Sequence, residues 1–260
     1  MNLSVKIKDL VLIMLMIFGL QSCSTQKNNA NPTPEPVKTV EIALEKPKNK
    51  EENCFKNAAD RPELYLPLLK NKTVAIVANQ TSLLADKTHL VDFLVQNNIK
   101  IKHIFAPEHG FRGTADAGEH VKNGIDTKTG LPIISLYGDN KKPKPEQLQG
   151  VDIVLFDIQD VGVRFYTYIS TLTYVMEAAA ENGKEIIVLD RPNPHDGYTD
   201  RPKKKEKWTS FVGLHKVPVV YGLTIGEYGK MVNGEKWMKN AAQVKYTLIP
   251  MLNYHKNKRY

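Results

Sequence analysis

The chain has 260 residues, of which 42% are hydrophobic and 25% are charged, and its formal net charge is +8. This composition is sufficient for a buried core in about one or two domains, which excludes a wholly disordered chain. Much of the positive charge lies in two lysine-rich runs, "KPKNK" at 46–50 and "RPKKKEK" at 201–207. No nucleic-acid-binding motif accompanies either run, so the sequence favours solvated surface segments and predicts no nucleic-acid partner.

The N-terminus has the three parts of a secretory signal. Two lysines precede the apolar run "LVLIMLMIFGL" at 10–20, and "LQSC" follows at 20–23. The apolar run is too short to span a bilayer comfortably, and the "LQSC" word is similar to a lipobox. We therefore expect residues 1–22 to be a lipoprotein signal peptide, with lipid attached to Cys23; the alternative is an uncleaved anchor helix. Lipid on Cys23 would hold the protein on a membrane of the cell envelope, facing the periplasm or on the cell surface.

The segment that follows the signal has almost nothing to bury. Residues 23–57 include "STQKNNANPTPEPVKT" and are rich in Asn, Pro, Thr and Lys, a composition typical of a disordered tether. The chain has two cysteines, Cys23 and Cys54. With lipid on the first, the sequence predicts neither a disulfide framework nor a metal site built on cysteines.

From residue 58 onward, apolar runs typical of strands alternate with segments of helical periodicity. The predicted strands are nearly continuous apolar runs, at 73–79, 101–110, 132–138, 151–160 and 184–194. Helical spacing of apolar residues occurs at 88–98 and 170–183. Continuous apolar strands that alternate with helices indicate an α/β fold, a mostly parallel Rossmann-like sheet with helices on both faces.

We place the Rossmann-like domain at 58–208 and the start of a smaller second domain at 209–260. In the second region, Thr224 and Glu227 have the spacing of a capping box, which predicts a helix that begins at Thr224. We therefore favour a structural role for Glu227 over a functional one.

Clusters of polar residues follow four of the predicted strands: "NQTS" at 79–82, "PEHGFRG" at 107–113, "DIQDVGVRFY" at 157–166 and "DRPNP" at 190–194. Ligands of open α/β sheets bind at the carboxyl ends of the strands, so we expect these segments to converge on one edge. The sequence has neither GxGxxG after the first strand nor GxxxxGKS/T anywhere, so we expect no nucleotide or other cofactor.

The segment "PEHGFRG" contains three residues with catalytic chemistry, Glu108, His109 and Arg112. At the end of a strand, a partly desolvated Glu108 carboxyl can act as a general acid; alternatively it caps a turn or pairs with Arg112. His109 can be a proton shuttle, a metal ligand or a structural hydrogen-bonding group. A metal site would need several residues of one set to converge: His109, Asp116, Glu119, His120 and Asp160. Their spacing matches no familiar ligand set, so we predict no metal site.

Two further polar segments contain candidates for ligand binding. In "DIQDVGVRFYTY", Asp160, Arg164 and Tyr166 belong either to an ion-pair network that shapes a loop or to a cradle for a sugar or an anion. In "DRPNP", Asp190 and Asn193 either close a turn or contact a ligand, Asn193 through its side-chain amide.

Five sequence segments together resemble those of one protein family. They are "FAPEHGFRGTADAGE", "TGLPIISLYG", "VDIVLFDIQDVGVRFYTYISTLTYVMEAA", "VLDRPNP" and "VPVVYGLTIGEYGKMVNGE". In this order they are similar to the DUF1343 family, whose members are exo-β-N-acetylmuramidases, also called NamZ-type glycoside hydrolases. The resemblance extends from about residue 58 to about residue 252.

The resemblance implies a function and a site. Such enzymes remove N-acetylmuramic acid from the non-reducing ends of peptidoglycan fragments in cell-wall recycling. Their active site lies between a Rossmann-like N-terminal domain and a smaller C-terminal domain. The "PEHG" word implies Glu108 as the catalytic acid. Glycoside hydrolysis commonly uses two carboxyl groups, and we predict Asp160 as the second, with a tyrosine or the acetamido group of the substrate as alternatives.

The resemblance also implies groups that bind the sugar. N-acetylmuramic acid has a lactyl carboxylate, for which Arg112 and Arg164 are both candidates. The other predicted substrate contacts come from the same polar segments: His109, Tyr166, Asp190 and Asn193. Family members continue well beyond the position that matches Met251, so the resemblance implies a truncated second domain. This leaves open the alternative of a non-catalytic envelope lipoprotein that binds glycan or another partner.

Overall fold

The computed structural model describes residues 40–41, 54–113, 122–256 and 258, and within them eight strands form a single sheet. The strands are β1 (Val40–Glu41), β2 (Thr73–Ala78), β3 (Lys100–Ala106), β4 (Gly124–Ile125), β5 (Pro132–Ser135), β6 (Ile153–Asp157), β7 (Glu185–Leu189) and β8 (Lys245–Ile249). Their order across the sheet is β1-β8-β7-β6-β2-β3-β5-β4. Within the described residues only β4 runs antiparallel to its neighbour, β5, so the sheet is mostly parallel, as predicted.

Helices cover both faces of this sheet. The described residues form α1 (Pro62–Leu69), α2 (Leu90–Gln96), α3 (Pro145–Leu148), α4 (Tyr168–Glu181) and α5 (Ile225–Gly234). Buried residues of α4 and α5 cluster with Val77, Phe105 and Phe156 on one face. Buried residues of α1 and α2 cluster with Ile76 and Ile104 on the other. This two-faced packing confirms the predicted α/β fold.

The central strands owe their position to continuous apolar sequence. β2 (TVAIVA), β6 (IVLFD) and β7 (EIIVL) are buried along nearly their whole length. A strand in the middle of a covered parallel sheet has no solvent-facing side, so successive side chains must all be apolar. The strands end earlier than their apolar runs predicted. β3 ends before Pro107, which has no amide hydrogen to donate to a ladder, and β6 ends at the buried Asp157.

The region after residue 208 belongs to the same sheet. β8 pairs in parallel with β7, and α5 packs against α4 and β8. The described residues from Cys54 onward belong to one compact unit. The boundary predicted between residues 208 and 209 therefore does not coincide with a break in this unit. The physical reason is that the backbone groups of β7 need a partner strand on the side away from β6, and β8 supplies it.

Helix α5 begins with the predicted capping box. The side-chain oxygen of Thr224 accepts a hydrogen bond from the amide of Glu227 (3.1 Å), and Glu227 Oε2 accepts one from the amide of Thr224 (3.0 Å). This reciprocal pair satisfies two amides that helix geometry leaves without partners, and the structural role of Glu227 is confirmed. The start of α5 also lies very close to the sheet, because a Cβ on Gly226 would be 2.3 Å from Leu248 Cδ1.

Several sequence predictions fall outside the described residues. They are the signal peptide at 1–22, the lipid site at Cys23 and most of the tether at 23–57. The segment 114–121, which contains three of the residues considered for a metal site, is also outside them. In the part of the chain that is described, no helix combines the length and the apolar character needed to cross a membrane.

Candidate active site

The polar segments that follow the strands meet at one edge of the sheet. Ser82 Oγ, after β2, donates a hydrogen bond to the backbone oxygen of Asp157 at the end of β6 (2.5 Å). Thr167 Oγ1, in the loop after β6, donates to Glu108 Oε2 after β3 (2.8 Å). The carboxyl ends of these parallel strands therefore carry interacting side chains, as the sequence predicted.

A buried ion pair holds this edge together. Arg191 Nε lies 2.5 Å from Asp157 Oδ1 and Arg191 Nη2 lies 2.8 Å from Asp157 Oδ2, so the pair is bidentate. Arg191 Nη2 also donates to the backbone oxygen of Leu83 (3.1 Å). The side chains of Arg191 and Asp157 are 5% and 0% exposed. One guanidinium group thus links the end of β6, the end of β7 and the segment after β2.

Glu108 lies in a tight turn after β3. The amide of Gly110 donates to the backbone oxygen of Pro107 (3.0 Å), and His109 and Gly110 have φ angles of 71° and 77°. Left-handed backbone is unfavourable for a residue with a Cβ, and residues such as His109 that adopt it are concentrated at functional sites. This turn places Glu108 at the wall of a groove.

The groove beside Glu108 has a volume of about 720 Å³. It is lined by the turn after β3, the loop after β5, the loop before α4 and the segment 210–212. The polar and aromatic residues that matter for its chemistry are Glu108, His109, Tyr137, Lys141, Tyr166 and Phe211. A concave site with a few polar groups among aromatic rings is the common form of a small-molecule binding site.

Two hydroxyl groups orient the Glu108 carboxyl group. Thr167 is the N-cap residue of α4, but its hydroxyl makes no bond to a helix amide and donates to Glu108 instead. The side chain of Tyr137 also hydrogen-bonds to Glu108, and this bond raises the pKa of Tyr137. A carboxyl group held in this way at the wall of an open groove is placed to exchange a proton with a bound ligand.

Aromatic side chains supply the apolar surface of the groove. Phe165 and Tyr166 stack with their ring centroids 5.5 Å apart, and the two residues are 56% and 46% exposed. Phe211 stacks on Tyr174 with a centroid distance of 5.8 Å. Exposed ring faces beside hydrogen-bonding groups match a sugar ring, which has apolar C–H faces and a polar rim.

Asp160 is not among the described residues that line this groove. It is 5% exposed, and its Oδ2 accepts hydrogen bonds from the Tyr221 hydroxyl and from the amide of Gly162 (2.8 Å). Its Oδ1 is buried without a hydrogen-bond partner among the described residues. Burial raises the pKa of Asp160. These contacts hold the loop between β6 and α4, and Asp160 borders a separate pocket that Asn193 also lines.

The two arginines predicted to bind a carboxylate have partners inside the protein. Arg112 donates from Nε and Nη2 to the two carboxylate oxygens of Asp126, both at 2.8 Å, and these bonds lower the pKa of Asp126 to about 2. Arg164 Nη1 donates to the backbone oxygens of Val217 (2.5 Å) and Pro202 (3.2 Å). Neither arginine is among the described residues that line the groove.

Asp190 and Asn193 have the contacts expected of a turn. Asp190 accepts hydrogen bonds from Thr224 Oγ1 (2.8 Å) and from the amide of Gly226 (2.9 Å), and burial raises the pKa of Asp190 to about 7. The side chain of Asn193 bonds to two backbone groups, both at 2.7 Å. Both residues therefore connect the end of β7 to the start of α5, and of the two interpretations made from the sequence their geometry favours the turn.

Three of the predicted site residues line the groove: Glu108, His109 and Tyr166. Their catalytic and binding roles stay predictions. The sequence analysis missed Tyr137, which lies inside the strand predicted at 132–138 but two residues after the observed end of β5. It also missed Lys141 and Phe211, which lie in loops without a recognisable motif. Among the described residues, no group of three or more His, Cys, Asp or Glu is arranged to hold a metal ion.

The family model described as "Exo-beta-N-acetylmuramidase NamZ, N-terminal" matches residues 74–260, which include the whole groove. The chain belongs to this family. Solved structures of DUF1343 proteins are also similar to this NamZ-family chain. Both findings confirm the resemblance that the sequence segments indicated.

The match between this NamZ-family chain and each of its relatives covers only part of the relative's length. It is 49% identical over 173 residues to a protein of Bacillus subtilis (strain 168) named peptidoglycan beta-N-acetylmuramidase NamZ; the match covers 66% of this chain and 42% of the relative. A DUF1343 family protein from Bacteroides fragilis has 42% identity and a TM-score of 0.72, over 80% of this chain and 54% of that one. A second DUF1343 protein from the same organism has 36% identity and a TM-score of 0.73, over 78% and 52% of the two chains. The chain thus spans about half the length of the relatives it matches.

Proposed function

We propose that this chain is an exo-β-N-acetylmuramidase, a glycoside hydrolase that releases N-acetylmuramic acid from the non-reducing ends of peptidoglycan fragments in cell-wall recycling. Membership of the NamZ family supports this function, and the name of the Bacillus subtilis relative supports the substrate class. The observation that carries the proposal is the Glu108 carboxyl group, which two hydroxyl groups hold at the wall of an open groove with exposed aromatic rings.

In this reaction Glu108 is the general acid. It donates a proton to the glycosidic oxygen as the bond to the anomeric carbon breaks, and so the leaving sugar departs as a neutral alcohol. Thr167 and Tyr137 fix the position of the carboxyl group relative to the groove. The stacked rings of Phe165 and Tyr166 offer a face on which the sugar ring can pack.

For Asp160, predicted as the second carboxyl group, the geometry favours a positioning role. Its contacts with Tyr221 and Gly162 hold the loop that carries Tyr166 into the groove. The second group is then a tyrosine or the acetamido group of the substrate. Asp160→Asn separates these roles. Loss of kcat with an unchanged urea midpoint would assign Asp160 to the chemistry, whereas a lowered midpoint with a raised KM supports positioning.

The direct test uses a chromogenic β-N-acetylmuramide and the Glu108→Gln variant. We expect the parent chain to release the chromophore and the variant to be slower by roughly 10²- to 10⁴-fold in kcat, the range typical of general acid catalysis. Glu146→Gln is the matched control, since it makes the same chemical change on an exposed residue of α3 outside the groove.

The outcomes distinguish the functions that the sequence left open. Equal rates for the parent and Glu108→Gln would remove Glu108 from the mechanism. If folded parent chain released no chromophore but bound peptidoglycan fragments, the non-catalytic glycan-binding alternative would replace the enzyme. Loss of activity in Glu146→Gln would show that the assay reports general damage instead of catalysis.

We also propose that the protein is an envelope lipoprotein with lipid on Cys23. The support is the order of basic, apolar and "LQSC" segments at the N-terminus. In cells grown with a labelled fatty acid, we expect Cys23→Ser to lose the label and to leave the membrane fraction. Cys54→Ser is the matched control because Cys54 is the other cysteine of the chain, and its thiol is free and exposed. Labelling that survives Cys23→Ser would refute the lipid site.

A further inference from the structure

Among the described residues that line the Glu108 groove, Lys141 is the only lysine or arginine. It lies in the loop after β5, and its Nζ is 5.4 Å from the ring centroid of Phe211, which lines the same groove. Within the described part of the chain, no carboxylate forms an ion pair with Lys141. The groove therefore has a positive charge that no described acidic side chain neutralises.

The lysine next to Lys141 in the chain, in contrast, forms ion pairs with two carboxylates. Lys142 Nζ lies 2.5 Å from Glu177 Oε1 and 2.8 Å from Glu181 Oε1, so it holds two acidic residues of α4. The arginines named from the sequence are also engaged. Arg112 bonds to Asp126 and Asp92, and Arg164 bonds to backbone oxygens outside the groove.

We infer that Lys141 binds the carboxylate of an acidic sugar in the groove and thereby selects N-acetylmuramic acid over N-acetylglucosamine, an inference that rests on the proposed function. The two sugars share an N-acetylated ring and differ by a lactyl ether, which adds one carboxylate. The ammonium group has three donors and forms charge-assisted hydrogen bonds with carboxylates. The contact with the Phe211 ring keeps this ammonium group at the wall of the groove.

N-acetylglucosamine has no carboxylate for the Lys141 ammonium group to bind. The charge of Lys141 therefore affects the affinity for N-acetylmuramic acid alone. Loss of a hydrogen bond between charged groups typically weakens binding by roughly 10-fold or more. Lys141→Met removes the charge and keeps most of the apolar stem over Phe211. We therefore expect Lys141→Met to weaken the binding of N-acetylmuramic acid by about 10-fold and to leave the affinity for N-acetylglucosamine unchanged.

The experiment measures the affinities of both free sugars for the parent chain by titration calorimetry or NMR, and then for three variants. Lys141→Met tests the charge, and Lys141→Arg keeps the charge and should keep the preference. Lys100→Met is the matched control, since Lys100 is an exposed residue at the opposite end of β3. Thermal unfolding of each variant checks that the fold is intact.

A preference for N-acetylmuramic acid that is lost in Lys141→Met, and kept in Lys141→Arg and Lys100→Met, supports the inference. An equal preference in the parent and Lys141→Met overturns it, and so does a parent chain that does not prefer the acidic sugar. Hydrolysis of the chromogenic β-N-acetylmuramide by the parent is scored separately. Hydrolysis without a Lys141-dependent preference overturns this inference alone, whereas a Lys141-dependent preference without hydrolysis overturns only the proposed enzyme.

Discussion

The buried ion pair between Asp157 and Arg191 gives the strongest stability prediction. Both side chains are enclosed at the carboxyl edge of the sheet, and two hydrogen bonds of 2.5 and 2.8 Å join them. Asp157→Leu leaves the guanidinium group buried without its counter-charge, and Arg191→Met leaves the carboxylate in the same condition. In each single variant one ion has lost solvent and has gained no partner in exchange.

The magnitude follows from this unpaired charge. Removal of one partner from a buried pair costs about 3–5 kcal/mol, a large fraction of the total stability of about 5–15 kcal/mol of an ordinary domain. The double variant Asp157→Leu with Arg191→Met has no charge left to desolvate. Its main loss is the hydrogen bond from Arg191 to the backbone oxygen of Leu83, which is about 1–3 kcal/mol for a buried group left without a partner.

Urea unfolding at neutral pH, followed by far-ultraviolet circular dichroism, measures all four proteins of this double-mutant cycle. We expect each single variant to lose about 3–5 kcal/mol and the double variant to lose clearly less than the sum of the two. Additive losses, within about 0.5 kcal/mol, would refute the reasoning, because they would mean that the two side chains do not stabilise each other.

Two further predictions concern Gly226 in the first turn of α5 and Asp190, which accepts hydrogen bonds from Thr224 and Gly226. Gly226→Ala should lower the free energy of unfolding by about 1–3 kcal/mol, because its Cβ would lie 2.3 Å from Leu248 Cδ1 and 2.8 Å from Asp190 Oδ1. Gly234→Ala in the same helix is the control, since its Cβ would have open space around it and the change should be neutral or stabilising. Equal urea midpoints for the two variants would contradict the packing argument. Burial raises the pKa of Asp190 to about 7, so the folded chain binds the proton of this carboxyl group more tightly than the unfolded chain does. The contribution of protonated Asp190 to the free energy of unfolding is therefore full below about pH 4 and is lost as the pH rises through 7. In urea titrations, the free energy of unfolding of the parent minus that of Asp190→Asn should therefore fall as the pH rises from about 4 to 7. A constant difference would show that Asp190 does not titrate in this interval.

Sequence patterns predicted the elements whose stabilising contacts are local or repetitive. β2, β6 and β7 were recognisable because strands buried on both faces are continuously apolar. The capping box of Thr224 and Glu227 was recognisable because both hydrogen bonds join residues three positions apart.

Other elements have weaker local signals. α1 was not predicted, and Pro67 interrupts its helical pattern. β8 was not predicted either, because a short strand such as "KYTLI" depends on pairing with β7, more than fifty residues earlier in the chain.

The sequence by itself determined that polar side chains would gather at one edge of a parallel sheet, since strand ends on that edge are neighbours whatever the side chains are. Only the tertiary structure decided what each of those side chains does. Arg164 donates to Val217, 53 residues later, and Asp160 accepts from Tyr221, 61 residues later. Packing selects such distant partners because a buried polar group must be satisfied by whichever group lies beside it. Tertiary packing also brings Lys141, which no sequence motif marks, into the lining of the same groove as Glu108.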